Sequence, residues 1–132
     1  MLRGSCLCGV VAYEIRGTPK WMYHCHCGVC RKASGSSLAT NLIVATEDFE
    51  LVSGRDRLSA FESSPRKHRW FCSRCGSPIY SQSEATRQIV SVRAGTLDGD
   101  PSLRPSVHAY TTSKAPWFEI CDGVPQASED GR

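Results

Sequence analysis

The sequence contains no apolar run that approaches the roughly 18–20 residues needed to span a membrane. Its first ten residues, MLRGSCLCGV, also lack the long apolar stretch of a secretory signal peptide. We therefore predict no membrane partner and expect a cytoplasmic protein. Because thiols stay reduced in that compartment, cysteines there are more often metal ligands than disulfide partners.

Repeats, low-complexity tracts and linker-like segments are also absent from the 132 residues. Apolar residues make up 40% and charged residues 22% of the chain, a balance that indicates a folded protein and excludes disorder. The length fits one domain, so we predict a single domain over residues 1–132. A core of this size needs no cross-link, and the abundance of cysteine requires another explanation.

The sequence has little helical pattern, with short candidates only after Cys30 and around residues 116–118. Segments rich in β-branched and aromatic residues, most of them bounded by Gly, Pro, Ser or Asp, predict strands instead. We expect a mostly β fold of several small antiparallel sheets with very short helices. The predicted strands are 10–15, 37–45, 49–54, 58–63, 67–72, 78–83, 88–95 and 106–113.

The sequence is rich in cysteine. It has eight, and all of them except Cys121 occur in short clusters. One four-cysteine site would leave three clustered cysteines over, so two metal ions are the economical interpretation. The clusters are Cys6-x-Cys8, Cys25-x-Cys27-x-x-Cys30 and Cys72-x-x-Cys75.

Two of the clusters, CLCG and CSRCG, end in glycine, at Gly9 and Gly76. A backbone that turns around a metal often needs positive φ after the second cysteine, where glycine costs nothing. We therefore pair these two clusters in one closed structural zinc site, with disulfides and an iron–sulfur centre as the alternatives. The predicted ligands are Cys6, Cys8, Cys72 and Cys75.

The remaining trio, Cys25, Cys27 and Cys30, predicts a second zinc ion with an open coordination position. Residues 25 and 27 lie on one side of an extended segment, so His26 points the other way and is a poor ligand. Three protein ligands and a vacancy are the arrangement of a catalytic zinc site. A redox-active thiol cluster is one alternative, and another is a closed site completed by His24, His68, His108 or Cys121.

Two cations, Arg31 and Lys32, follow the trio directly. We predict that they offset its thiolate charge and bind an anionic substrate. A four-thiolate zinc site contributes a charge of −2 and a three-thiolate site −1, so two zinc ions offset the formal net charge of +3. The basicity is therefore poor support for nucleic-acid binding, and we predict no nucleic-acid partner.

Four further residues have weaker interpretations. His68 and Trp70 lie one strand period apart, and their side of the strand is a candidate wall of the site. Trp117 is expected to anchor the C-terminal segment in the core. Cys121, in the apolar context WFEICDG, is expected to be a buried small hydrophobic residue.

Four segments occur in a characteristic order over about residues 4–126: GSCLCGVVAYEI, CHCGVCRKASGS, WFCSRCGSPIY and HAYTTSKAPWFEICDGVPQ. Their combination resembles the glutathione-dependent formaldehyde-activating enzymes and their relatives. The resemblance implies a zinc-stapled all-β fold of the β-tent type. It also implies a structural zinc ion on the four paired cysteines and a catalytic zinc ion on Cys25, Cys27 and Cys30.

The activity implied by the resemblance is that of a carbon–sulfur lyase, which interconverts formaldehyde and glutathione with S-hydroxymethylglutathione. Because three thiolates weaken the Lewis acidity of zinc, we expect the metal to hold and deliver a thiolate. A non-catalytic zinc module that binds a macromolecule is the alternative function. A methionine-R-sulfoxide reductase would need a nucleophilic cysteine outside the metal sites, and the apolar context of Cys121 disfavours it.

Overall fold

The computed structural model of the protein describes residues 1–130, which form two β-sheets, one short α-helix and several single-turn 3₁₀ segments. The helix, α1, spans Gly28–Ser34. The strands are β1 Leu2–Ser5, β2 Ala12–Ile15, β3 Trp21–Cys25, β4 Ala39–Ala45, β5 Phe49–Ser53, β6 Leu58–Ser64, β7 Lys67–Cys72, β8 Pro78–Ser83, β9 Ile89–Arg93 and β10 His108–Ala109.

The smaller sheet has three strands in the order β1-β2-β5, and the larger has seven in the order β10-β3-β4-β9-β8-β7-β6. Every named pair is antiparallel except β10 and β3, which run parallel. In the described part of the chain, no helix has the length and apolar character needed to cross a bilayer. The predicted mostly β fold with small sheets and very short helices is confirmed.

Strand boundaries differ from the predictions mainly near the cysteine clusters. Strands β1 and β3 were not predicted, because their segments LRGS and WMYHC have weak strand patterns and are held by pairing with β2 and β4. The predicted strand at 106–113 shortens to two residues, because Tyr110 turns the chain with a φ of 58°. The predicted turn of helix at 116–118 is a hydrogen-bonded turn.

The core lies between the two sheets and follows from strand alternation. On β4 and β9, the even-numbered residues Leu42, Val44, Val90 and Val92 are buried against the smaller sheet. The smaller sheet contributes buried aliphatic and aromatic side chains, and Tyr13 packs 5.2 Å from the ring of Phe49. The odd-numbered residues of the same strands point to the opposite face, which leaves that face free to form a site.

Gly54, which follows β5, is required by a close approach of two backbones. Its φ is 79°, a left-handed conformation that costs L-residues free energy. A β-carbon at this position would also overlap the backbone carbonyl of Val10.

We expect Gly54→Ala to lower the free energy of unfolding by about 2 kcal/mol, because backbone strain adds to the overlap. Urea denaturation measures this change. The matched control is Gly99→Ala, because a β-carbon at Gly99 meets no atom within 4 Å. Equal stabilities for the two variants would contradict the close approach.

Candidate metal centres and the adjoining cavity

The first cysteine cluster joins the end of β1 to the end of β7. Cys6 and Cys72 are buried, whereas Cys8 and Cys75 lie in the turns that follow them. The four Sγ atoms lie within 4.8 Å of one another, although the two halves of the cluster are more than 60 residues apart in sequence. The structure therefore brings together the four cysteines that the sequence analysis paired.

The sulfur spacing of this cluster fits a tetrahedral metal ion. The Sγ atoms are 3.6 Å apart between Cys6 and Cys8 and 3.9 Å apart between Cys8 and Cys72. Zinc–sulfur bonds of about 2.3 Å place tetrahedral ligand sulfurs about 3.8 Å apart. A disulfide needs about 2.05 Å, and all eight cysteines are free.

Both turns of the cluster have the backbone geometry that the glycines predicted. Gly9 and Gly76 each have a φ of 82°, and each N–H donates to the carbonyl of the first cysteine of its pair. The N–H of Val11 also donates to Sγ of Cys6 over 3.3 Å. The Val11 donor stabilises the Cys6 sulfur in its thiolate form, which is the form that binds metal.

Ser77 supports the same cluster from its side. Its hydroxyl lies 3.2 Å from Sγ of Cys75, and it accepts a hydrogen bond from the N–H of Leu7. The Ser77 side chain and backbone lower the pKa of Cys75 to about 5. Cys75 is therefore a ready thiolate ligand at neutral pH.

The second cluster lies where β3 leads into α1. Cys25 is the last residue of β3, Cys27 caps α1, and Cys30 lies within the helix. Their Sγ atoms lie within 4.8 Å of one another. Among the described residues, no fourth Cys, His, Asp or Glu belongs to this group, so the trio offers three sulfur ligands.

Hydrogen bonds concentrate negative charge on Cys27. The thiols of Cys25 and Cys30 lower its pKa far below the ordinary thiol value, and the backbone N–H of Cys30 donates to its Sγ over 3.3 Å. The side-chain hydrogen bonds with Cys27 and Cys30, together with burial, raise the pKa of Cys25. Without a cation, the three sulfurs therefore cannot all be thiolates at once. A cation that binds the trio would offset their charge, so that all three sulfurs could be thiolates.

The trio opens into a cavity of about 460 Å³ over the polar face of the seven-stranded sheet. Odd-numbered residues of β3, β4, β7, β8 and β9 supply most of its wall, as strand alternation requires. The strand residues that line it include Tyr23, Asn41, Ile43, Lys67, Arg69, Ser81, Ser91 and Arg93, and Tyr110 and Asp130 lie along the chain beyond them.

Three cations face this cavity. Arg93 is 7% exposed and donates to the side chains of Asn41 and Ser81 over 2.7 and 3.1 Å. Burial lowers the pKa of the Lys67 ammonium. Arg69 donates through Nε to Ser63 over 2.8 Å, whereas its Nη1 is buried without a hydrogen-bond partner.

The two cations predicted to bind substrate, Arg31 and Lys32, are not among the described residues that line the cavity. Lys32 is exposed on α1, and the Arg31 Nε is buried without a partner. Two of the three cations that line the cavity come instead from β7, the strand that was predicted to form a wall of the site through His68 and Trp70. These two residues line a different, more open depression, because the face of β7 that meets the trio carries the odd-numbered residues.

Two interpretations of the C-terminal segment were wrong. Trp117 is 72% exposed and does not anchor the core. Cys121 is exposed as well, not buried. This segment runs over the surface in turns and a polar loop, so the apolar residues around Cys121 do not indicate that it is buried. Cys121 is also not among the described residues of the cavity or of either cysteine cluster.

Comparisons with a family model, with a related protein and with a solved structure give consistent results. The family model described as "Glutathione-dependent formaldehyde-activating enzyme" matches residues 1–113. A Halomonas elongata protein, whose name assigns it provisionally to the glutathione-dependent formaldehyde-activating enzymes, is 32% identical over an alignment 129 residues long. The alignment covers 91% of this chain and 81% of that protein. A crystal structure of a Rhodobacter sphaeroides protein superposes with a TM-score of 0.61 at 23% identity, covering 74% of this chain and 89% of its own, and so shares the fold.

We expect Cys72→Ser to abolish metal binding at the four-cysteine cluster and to unfold the protein, because metal-binding free energy contributes to folding. Metal content and circular dichroism measure the two effects. The matched control is Cys121→Ser, which should keep the metal content and stability of the wild type. A folded Cys72→Ser protein with unchanged metal content would show that the cluster does not bind the ion.

Proposed function

Since the chain belongs to the glutathione-dependent formaldehyde-activating enzyme family, we propose that it is a zinc-dependent carbon–sulfur lyase. Its reaction would be the formation and cleavage of S-hydroxymethylglutathione or a similar thiol–aldehyde adduct. The observation that carries the proposal is a single cavity lined by the three cysteines and by Arg69, whose Nη1 is buried without a hydrogen-bond partner.

Zinc fits both cysteine clusters by the chemistry of their ligands. Sulfur-only sets favour zinc among the common divalent ions of the cell, and four sulfurs make a closed structural site. The trio would hold the second ion with one position left for a ligand from outside the protein. When bound, that ion supplies charge that stabilises a thiolate at neutral pH.

The chemistry balances without an oxidant or a reductant. In the synthetic direction the glutathione thiol gives up its proton, its sulfur bonds to the formaldehyde carbon, and the carbonyl oxygen takes up a proton. Cleavage is the reverse. The chain has to bind the thiol beside the trio, orient the aldehyde and limit competing water, which a half-enclosed cavity between β3 and β7 can do.

The cations of the cavity suit glutathione, which carries two carboxylates. The partnerless Arg69 Nη1 is a donor without an acceptor, a costly arrangement unless a ligand supplies one. Lys67 is its neighbour two residues along β7 and faces the same cavity. We assign carboxylate binding to Lys67 and Arg69, and the earlier hypothesis of contacts from Arg31 and Lys32 stays a prediction.

A catalytic role fits these features better than a binding module does. A module that binds a macromolecule needs an exposed surface, whereas here the sulfurs of Cys25 and Cys30 lie deep in a polar cavity. The cavity is of the size that small-molecule ligands occupy. Among the described lining residues no histidine is present, so a hydroxyl group of the lining, such as that of Tyr110, is the candidate for a hydrogen bond to the adduct oxygen.

We expect Cys27→Ser to lose one of two zinc ions, to keep its fold, and to lose hemithioacetal turnover by 100-fold or more, because the trio then has only two thiolates. Zinc analysis, circular dichroism and the turnover assay measure these effects. Cys121→Ser is the matched control. Loss of both zinc ions together with the fold would make the trio structural and would refute the catalytic assignment.

We expect Arg69→Met to raise KM for glutathione about tenfold or more and to change kcat less, because truncating a charge-assisted hydrogen bond costs about 1.5–3 kcal/mol. Steady-state kinetics with varied glutathione measure the split. Arg87→Met is the control, since the Arg87 side chain is 76% exposed and lies outside the cavity. An unchanged KM in Arg69→Met would remove Arg69 from the glutathione site.

A further inference from the structure

A third set of metal-ligating side chains lies on the face of β3 opposite to Cys25. His24 on β3 and His108 on β10 are directly paired across the parallel strands, and their rings stack with centroids 4.8 Å apart. Asp122 reaches them from the C-terminal loop. One ligand atom from each of the three residues lies within 4.8 Å of the others.

The hydrogen bonds around the two imidazoles leave a defined pair of nitrogens for a ligand. His24 contacts the Thr40 hydroxyl through Nδ1 over 2.8 Å, so its Nε2 is the remaining nitrogen. His108 contacts Nε2 of His26 through Nδ1 over 2.8 Å, and its own Nε2 faces Asp122. Imidazoles that bind metals are held in this way, with the second nitrogen hydrogen-bonded to a supporting group.

The carboxylate of Asp122, the third donor of the group, makes the group accessible from solvent. The His108 side chain is 2% exposed, whereas that of Asp122 is 49% exposed. Its carboxylate oxygens lie 3.0 and 3.2 Å from Nε2 of His108. Donors about 2.0–2.2 Å from a shared ion lie roughly 3–3.5 Å apart, so this pair already has a suitable spacing. A small movement of the exposed carboxylate would adjust its distance to His24.

We propose that His24, His108 and Asp122 form a third metal site, which binds a divalent transition-metal ion of the zinc, nickel or cobalt class. Two imidazoles and one carboxylate are ligands that suit these ions, with water in the remaining positions. The site contains no sulfur and does not depend on the proposed function. A bound ion would tie the C-terminal loop to the strand whose other face carries Cys25.

Metal binding at this site has a consequence for His26. Without metal, His108 donates from Nε2 to Asp122, so its Nδ1 accepts the hydrogen bond from Nε2 of His26. With metal on Nε2 of His108, the proton resides on Nδ1 and the direction of the hydrogen bond to His26 reverses. Both imidazoles therefore change tautomer when the ion binds, which gives the proposal a spectroscopic signature.

The experiment uses the full chain with both cysteine clusters loaded with zinc. Equilibrium dialysis against buffered free zinc measures the total number of ions, and nitrogen-15 spectra of labelled histidine report the tautomers. We expect a third zinc ion per chain, together with the tautomer change at His26 and His108. Asp122→Ala should bind this third ion at least tenfold more weakly while it keeps the first two.

The matched control is Asp56→Ala, which removes another exposed carboxylate outside the group and should keep the third ion. His24→Gln is a second variant, and it should weaken the third ion as Asp122→Ala does. The absence of a third ion from the wild type would overturn the proposal and leave a hydrogen-bonded network only. A third ion that binds Asp122→Ala as tightly as the wild type would overturn it too.

Discussion

The alternation of side chains across the seven-stranded sheet is the constraint on which both the core and the candidate site depend. One face of β4 and β9 is aliphatic and packs on the smaller sheet, whereas the other carries polar residues beside Ile43 and Ile89 and forms the cavity. Successive residues of a strand point to opposite faces, so a shift of one residue would exchange the two. The buried Arg93 marks the polar face, because its hydrogen bonds to Asn41 and Ser81 cross three adjacent strands of the sheet.

The four-cysteine cluster and the trio differ in what they connect: the first joins elements that are remote in sequence, and the second is local. The first joins turns at the ends of β1 and β7, so an ion there would hold together two elements that are distant in sequence. The trio is local, because it spans six residues between β3 and α1 and opens into a cavity. This division between a remote clamp and a local open site fits the division between structural and catalytic zinc sites in general.

The cations that line the cavity are not the ones nearest to the trio in the sequence. Arg31 and Lys32 are adjacent to the trio in the chain, yet the turn of α1 directs Lys32 to solvent. Lys67 and Arg69 are about 40 residues away and meet the trio because β7 belongs to the same sheet as β3. The alternation that places them there also turns His68 and Trp70 away, so neighbours in sequence take separate surfaces.

The sequence by itself determined the β class, most strand positions and the grouping of seven cysteines, since each depends on local features: β-branched composition, turn residues and glycines that need positive φ. It also indicated that His26 lies opposite Cys25. Only the tertiary structure decided which face of β7 meets the trio, that Trp117 and Cys121 are exposed, and that His24, His108 and Asp122 converge. These outcomes depend on strand order and register between segments remote in sequence, and no local pattern encodes that pairing.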